Sequence, residues 1–283
     1  MSANITLSDR MKDFYENRFR TYLPRKSPVI IRVDGKKFSN FTRHFEKPFD
    51  NILSCAMQET MKKLCANIQG CVLGYTQSDE ISLVLIDYQT ENSDAWFDYN
   101  LQKMISIAAS MATLYFNKAF TELAGQWISD YYEEWNTNET KDKLCKAYEK
   151  AIETGALFDA RAFVVPRYEV VNCLLWRQQD ATRNSIEMLG RAYFSDKQLF
   201  KKNGKEIQDM LMLEKGVNWN NLPTKFKRGS CVYKTSRMMD CVDKKTGENT
   251  VAQRSEWVID NEIPIFSTSD GKDYVNSRIL FTN

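Results

Sequence analysis

The amino-acid sequence predicts an α+β fold, an antiparallel sheet with flanking helices. Three observations predict it. A β-branched run, Val29-Ile30-Ile31-Arg32-Val33, stops at Asp34-Gly35; two more apolar runs flank the polar turn Thr76-Gln77-Ser78-Asp79-Glu80; and segments with apolar residues every three or four positions separate these strands from each other and from a fourth. The order that results is β-α-β-turn-β-α-β.

Residues 8–20 read as a short amphipathic helix, with Met11, Phe14, Tyr15 and Phe19 at helical spacing, broken by "RKSP". The nearly continuous run at 29–33 is the pattern of a strand buried on both faces. From Pro48 the apolar residues Leu53, Met57, Met61, Leu64 and Ile68 predict a helix to about Asn67, ended near Gly70. Val72, Leu73 and Tyr75 form one arm of a β-hairpin, and Ile81, Leu83 and Leu85, alternating with Ser82, Val84 and Ile86, form the other. Ser78, Asp79 and Glu80 fall at its tip. A long helix from about Asp94 to Ala124 places Leu101, Met104, Ile105, Ala108, Met111, Leu114 and Tyr115 on one face. The charged stretch 129–154, with its turn-like "NTNET", reads as an insertion carrying a surface helix. "ALFDARAFVVP" is a strand stopped by Pro166, and "NCLLWRQQDATRNSIEMLGRAYF" a helix whose apolar "CLLW" assigns Trp176 to the core. Beyond it lie a basic helical segment, an Asn/Gly/Lys-rich stretch at 216–230, and weak strands at 230–240 and 251–260. No repeat and no clean domain boundary interrupts the chain.

Composition bounds the chemistry. With 43% hydrophobic and 27% charged residues over 283 positions, the chain has the make-up of a globular protein with one large core or two modest ones. The balance of 39 Lys+Arg against 37 Asp+Glu gives no global attraction to nucleic acid, so any anion site is local. Seven cysteines, an odd number without a CxxC pair, point to a reducing compartment, with the cytoplasm expected. The first residues lack the apolar stretch of a signal peptide, and no run of about eighteen apolar residues predicts a membrane span. His44 is the only histidine, and no triad-like set of residues surrounds it. Carboxylate and metal chemistry is what remains.

Asp34 and Asp79 are its candidates. Where the first strand neighbours the hairpin in an antiparallel sheet, strand end and hairpin tip converge. Two acidic groups there repel unless cations separate them, and hard oxygen ligands suit Mg²⁺, with the Gly35 carbonyl as a further donor. Lys36, Lys37, Arg43 and Lys47 follow in a turn with free backbone N–H groups, a cradle for a triphosphate. Carboxylate-held metals beside a phosphate pocket suggest two-metal phosphoryl or nucleotidyl transfer. Taken singly, Asp-Gly is an ordinary turn and "SDE" an ordinary solvated hairpin tip; their joint occurrence around lysines favours the metal site.

Five motifs add to this: "IRVDGKKFSNF" with "EKPFD", "GYTQSDEISLVL", "FDARAFVVP", "LLWRQQDATRNS" and "GVNWNNLPTKFKRGS". In that order, between about residues 10 and 235, the chain resembles the tRNA-histidine guanylyltransferase family and its guanylyltransferase-like relatives, enzymes that extend RNA in the 3′-to-5′ direction. The resemblance implies a polymerase-palm, ferredoxin-like sheet. Residues 1–160 would form the palm-like catalytic region and 161–283 would complete it with a helical, RNA-facing C-terminal part, in one integrated domain that assembles as a homotetramer. It implies two Mg²⁺ ions on Asp34, the Gly35 backbone and Asp79, with Glu80 as the acid beside them. Arg32, Lys36, Lys37, Phe38 and Ser39 match the loop that wraps a nucleoside triphosphate, Lys47 and Asp50 match a "KP.D" element, and Ser78 matches a contact to nucleotide or metal-bound water. ATP, GTP and other nucleoside triphosphates would be substrates together with tRNA: the 3′-hydroxyl of the incoming nucleotide attacks an activated RNA 5′ end, and pyrophosphate or AMP leaves.

Two departures from the family pattern matter. Thr182-Arg183-Asn184-Ser185 stands where the guanylyltransferases carry "HINN", which favours template-dependent 5′-end repair of tRNA over untemplated addition of G to tRNA-histidine. Lys103 matches a lysine that helps activate the RNA 5′ end, but Asn100 stands where an arginine precedes it, which favours elongation from a 5′-triphosphate over activation by ATP. Arg177, Asn184, Lys201, Lys202, Lys225, Lys227 and Arg228 are candidate contacts to RNA phosphate. The "WNN" at 219–221, the 129–154 stretch and the tail beyond 235 receive no role. Guanine addition to tRNA-histidine and a palm-type nucleotidyl cyclase are the alternative activities, the second lacking a "GGDEF"-like turn. A catalytically silent RNA-binding module is a third reading, against which both aspartates and the lysine cradle weigh.

Overall fold

The first strand sets the frame, because its side chains alternate between two separate cores. The computed structural model describes residues 5–133, 138–242, 247 and 249–280. Within it β1 (Val29–Gly35) buries Val29, Ile30, Ile31 and Val33 completely, as the unbroken apolar run requires. Ile31 and Val33 pack with helices α3 (Asn51–Asn67) and α4 (Leu101–Glu133) on one face; Ile30 packs with α6 (Val170–Tyr193) and α10 (Ser269–Ile279) on the other. Strands β2 (Cys71–Gln77), β3 (Glu80–Leu85), β4 (Phe158–Val164), β5 (Ser230–Val242) and β6 (Asn249–Asp260) complete an antiparallel sheet in the order β4-β1-β3-β2-β5-β6. The first four strands in that order are the ferredoxin-like arrangement; β5 and β6 extend it. Shorter or peripheral helices are α1 (Leu7–Phe14), α2 (Phe38–Phe41), α5 (Glu139–Thr154), α7 (Asp196–Leu199), α8 (Gly204–Lys215) and α9 (Thr224–Arg228).

Several elements differ from the sequence reading. The expected helix at 8–20 splits into α1 and a 3-10 turn, Glu16–Phe19, and none of its residues is buried, so its apolar stripe faces solvent. Helix α4 starts seven residues later than Asp94, since Phe97, Asp98 and Tyr99 take positive φ angles, and Asn100 accepts from the Lys103 N–H at 3.1 Å to cap it. It then runs on to Glu133, and Leu114, expected on the buried face, is exposed.

The stretch 129–154 is not a surface insertion. Its first part is the end of α4, and α5 buries Tyr148 and Ala151 in the larger core; Asn136 and Thr137 of the expected turn lie outside the described residues. The Tyr148 hydroxyl donates to Asp50 Oδ2 at 2.7 Å, while Asp50 caps α3 by accepting from the Leu53 N–H at 2.8 Å and the Glu46 N–H at 3.1 Å. Asp50→Ala removes a cap and strands a buried hydroxyl. A stability loss of about 2–4 kcal/mol is expected, read as a lowered midpoint in denaturant at unchanged slope.

The C-terminal region carries the helices α6–α9, as expected, and then a long hairpin followed by α10. The weak strands at 230–240 and 251–260 are β5 and β6, paired from Cys231↔Asp260 to Val242↔Asn249. Helix α10 places Val275 and Ile279 in the second core with Ile263 and Phe266, which gives the tail beyond 235 its role of closing the α6 side of the sheet. Among the described residues, no helix is long and apolar enough to cross a membrane.

Candidate active site

The site is built where β1 ends beside the tip of the β2–β3 hairpin. Asp34 pairs with Glu80 in the ladder, and the Gly35 N–H donates to the Asp79 carbonyl at 3.1 Å, so strand end and tip are tied together by backbone. Ser78 and Asp79 are the two turn residues, with Ser78 at φ 50°, and the Ser78 hydroxyl donates to Asp79 Oδ1 at 3.0 Å. Burial, then the charge of Asp34, pushes the Asp79 carboxyl above its ordinary range. The nearest cation to Asp34 is Arg161 at 4.0 Å, shared with Asp159 at 3.1 Å.

Glu80 has a different environment. Its carboxylate is buried and held by a bidentate contact to Arg177, Nε to Oε1 at 2.7 Å and NH2 to Oε2 at 2.6 Å, and Arg177 also reaches Asp180 at 3.0 Å. Arg177, expected to contact RNA phosphate, is instead spent on this internal network; its side chain is 11% exposed.

Lys36 and Lys37 leave the strand end as exposed cations, and Lys37, at φ 56°, turns the chain into α2. With Arg43, His44 and Lys150 they line a cavity of about 620 Å³ that has no carboxylate in its wall. Lys150 comes from α5, a helix the sequence places at 129–154 but with no signal that it packs beside the Lys36-Lys37 turn. Ser39 and Lys47 are exposed nearby, the Lys47 ammonium donating to the Thr42 carbonyl at 3.1 Å. Two expected nucleotide contacts are core residues here. Phe38 packs against Phe116 and Phe158, leaving its backbone alone to face a ligand, and Asp50 is taken up as the cap of α3.

Lys103 stands apart. Helix α4 reaches the carboxylate end of the sheet near Thr113, whose hydroxyl accepts from the Phe158 N–H at 3.2 Å. Lys103 is ten residues earlier, about 15 Å back along the helix axis, with its ammonium 5.9 Å over the Phe97 ring.

A second cavity, of about 100 Å³, adjoins the hairpin tip and is lined by Ser78, Asn184, Ser185, Lys225 and Phe226 among others. The "TRNS" segment therefore reaches the site through Asn184 and Ser185. The Trp219 indole N–H donates to the Ser185 hydroxyl at 3.0 Å, which assigns the "WNN" loop a positioning task. Of the other expected RNA contacts, Lys225 donates to Asn51 at 2.5 Å, Lys227 to the Asn220 carbonyl at 2.7 Å, and Arg228 to the Ile263 carbonyl at 3.1 Å. Lys202 pairs with Glu206 at 3.3 Å, and Lys201 is exposed. Trp176, assigned to the core by sequence, is 54% exposed.

The family model for Thg1, tRNAHis guanylyltransferase, matches residues 8–166, more than half of the chain. The chain belongs to this family. It is a nucleotidyltransferase of the Thg1 type, with the mixed helix and antiparallel sheet fold of Thg1 structures. It is 30% identical over 241 residues to the uncharacterized protein R259 of Acanthamoeba polyphaga mimivirus, covering 82% of this chain and 78% of that one. A bacterial tRNA(His) guanylyltransferase (Thg1)-like protein in complex with ATP superposes with a TM-score of 0.76 at 39% identity, over 98% of this chain and 100% of that one. The complex of such a bacterial protein with GTP gives 0.73 at 38% identity, over 97% and 99%.

Among the described residues, no group of three or more His, Cys, Asp or Glu side chains is placed to hold a metal. The donor set at the strand end is two carboxylates and a carbonyl: Asp34, Asp79 and Gly35. Its chemistry fits Mg²⁺, because all three are hard oxygen donors and two of them are carboxylates brought to one place.

Proposed function

We propose that this chain adds nucleotides to the 5′ end of tRNA in the 3′-to-5′ direction, opposite a template strand, as a 5′-end repair enzyme. The observation that carries the reading is the meeting of Asp34 and Asp79 at one sheet end beside the Lys36-Lys37 turn. Thr182 in place of the "HINN" histidine supports templated repair over untemplated G addition, and the identity of 39% to a bacterial Thg1-like protein accords with that choice.

Asp34, Asp79 and the Gly35 carbonyl would hold two Mg²⁺ ions, which when bound neutralise triphosphate charge and activate a hydroxyl. The protein's own groups do the rest. The Gly35–Asp79 backbone bond and the Ser78 hydroxyl fix the orientation of the Asp79 carboxylate. Lys36 and Lys37, with the exposed Ser39 and Lys47, draw the triphosphate to the carboxylates. Glu80, clamped by Arg177, keeps the β3 end in place beside the pair. The 3′-hydroxyl of the incoming nucleotide then attacks the RNA 5′ phosphorus and pyrophosphate leaves from a 5′-triphosphate end. The distance of Lys103 from the carboxylates and the capping role of Asn100 favour this over activation by ATP within one copy of the chain.

The exposed apolar residues Leu7, Met11, Phe14 and Phe19 support assembly of several copies, read as a homotetramer. Among the described residues six cysteines are free, which accords with a cytoplasmic location.

The deciding experiment incubates the protein with tRNA lacking its first nucleotide, labelled nucleoside triphosphates and Mg²⁺, on 5′-monophosphate and 5′-triphosphate ends. Incorporation dictated by the opposing base, faster on the triphosphate, is the expected result. One G added whatever base lies opposite would establish the guanylyltransferase activity instead, and no incorporation would end the reading.

A further inference from the structure

We infer that Trp176 is the platform on which the 5′-terminal base of the RNA stacks, with Arg32 as the group that yields the ring to it; this rests on the tRNA-extension reading. Three observations place it there. Alternation along β1 puts Arg32 and Asp34 on the sheet face that carries Ile30, the face against which α6 packs through Val170 and Leu174. Trp176 follows Leu174 by half a turn and rises out of that core onto the shelf beside Arg32, which lies one same-face step, roughly 7 Å, from Asp34. The shelf is open: Trp176 is 54% exposed, and the side chains of Arg161 and Asp34 are 50% and 43% exposed.

A large aromatic ring left half in water on a shelf of arginines beside the reacting groups is the composition of a single-strand binding surface. Two guanidiniums lie over the ring, and they differ in freedom. Arg177, 4.7 Å from the ring centroid, is locked by Glu80 and Asp180. Arg32, 5.3 Å from it, enters no ion pair among the described residues. Arg32 is half-buried and holds the ring by a cation–π contact without an ion pair to anchor it among the described residues, so a stacking base displaces it, and the released guanidinium is then positioned for the adjacent phosphate. The end of the RNA is thereby fixed beside Arg32, one same-face step from Asp34, and the reaction is restricted to a base that can lie flat on the indole.

The test uses full-length protein and a tRNA lacking its first nucleotide in which the new 5′-terminal base is 2-aminopurine. Wild-type protein should quench its fluorescence on binding. Trp176→Ala should abolish the quench and raise the KM for RNA about tenfold or more, with the KM for the nucleoside triphosphate unchanged, while Trp176→Phe keeps part of both effects. Circular dichroism and light scattering should give the same fold and assembly for all three proteins, since the ring lies outside both cores. The inference is overturned if the quench survives in Trp176→Ala, if the KM for the nucleotide rises instead, or if the variant changes assembly, which would make the ring a contact between copies. Extension by the wild type without any quench overturns this inference alone; failure to bind or extend the RNA at all overturns the functional reading and this one with it.

Discussion

Replacing Asp79 with asparagine leaves a folded protein whose nucleotidyl transfer has fallen by at least about a hundredfold, since even partners behind a metal's own ligands contribute on that scale. Asparagine keeps the shape of the turn and the backbone tie to Gly35, and removes the charge that divalent ions require. The same substitution should not lower the melting temperature measured in chelator at pH 7. The sign follows from the environment: burial and the charge of Asp34 raise the Asp79 carboxyl in the folded state, so its ionisation opposes folding above that raised value and ceases to as pH falls. Rate assays and thermal melts on one preparation check both halves. A wild-type rate would remove Asp79 from the site, and a collapse in melting temperature would make its role structural.

Arg177→Met is expected to destabilise the fold by about 3–5 kcal/mol, because it leaves the Glu80 carboxylate buried without its cation. Side-chain exposures of 11% and 8% for the pair mean that solvent offers little compensation. Arg177→Lys should also lose stability, since an ammonium cannot reproduce the two-pronged contact at 2.7 and 2.6 Å. Adding Glu80→Leu to Arg177→Met should restore much of what the single change loses, measured by denaturant unfolding with the slope held as a control on two-state behaviour. If Arg177 acted on RNA phosphate instead, the single variant would melt like wild type and bind RNA with a reduced salt dependence.

The β1-α3-β2-β3-α4-β4 order was legible in the sequence because each element is defined by its own neighbours: a β-branched run, a 3.6-residue periodicity, a two-residue turn. For the same reason Asp34 and Asp79 were found as a pair, one at a strand end and one at a hairpin tip. What was not legible depends on distant partners. Asp50 looks like a ligand until Tyr148, 98 positions away, donates to it, and Arg177 looks like a surface cation until Glu80, 97 positions away, takes its guanidinium. Trp176 follows an apolar run that suggests the core, yet half a turn separates it from Leu174 and carries it past the rim. Helix α5 and helix α10 have charged sequences that suggest solvent, and only the tertiary packing reveals the few positions, Tyr148 and Val275 among them, that they bury.

The most direct measurement of the central claim is the anomalous scattering of Mn²⁺, substituted for Mg²⁺ in crystals grown with a non-hydrolysable nucleoside triphosphate. The account predicts anomalous peaks between the carboxylates of Asp34 and Asp79, lost together in Asp79→Asn crystals. Strong peaks elsewhere with none between these two residues, or peaks unchanged in the variant, would contradict it.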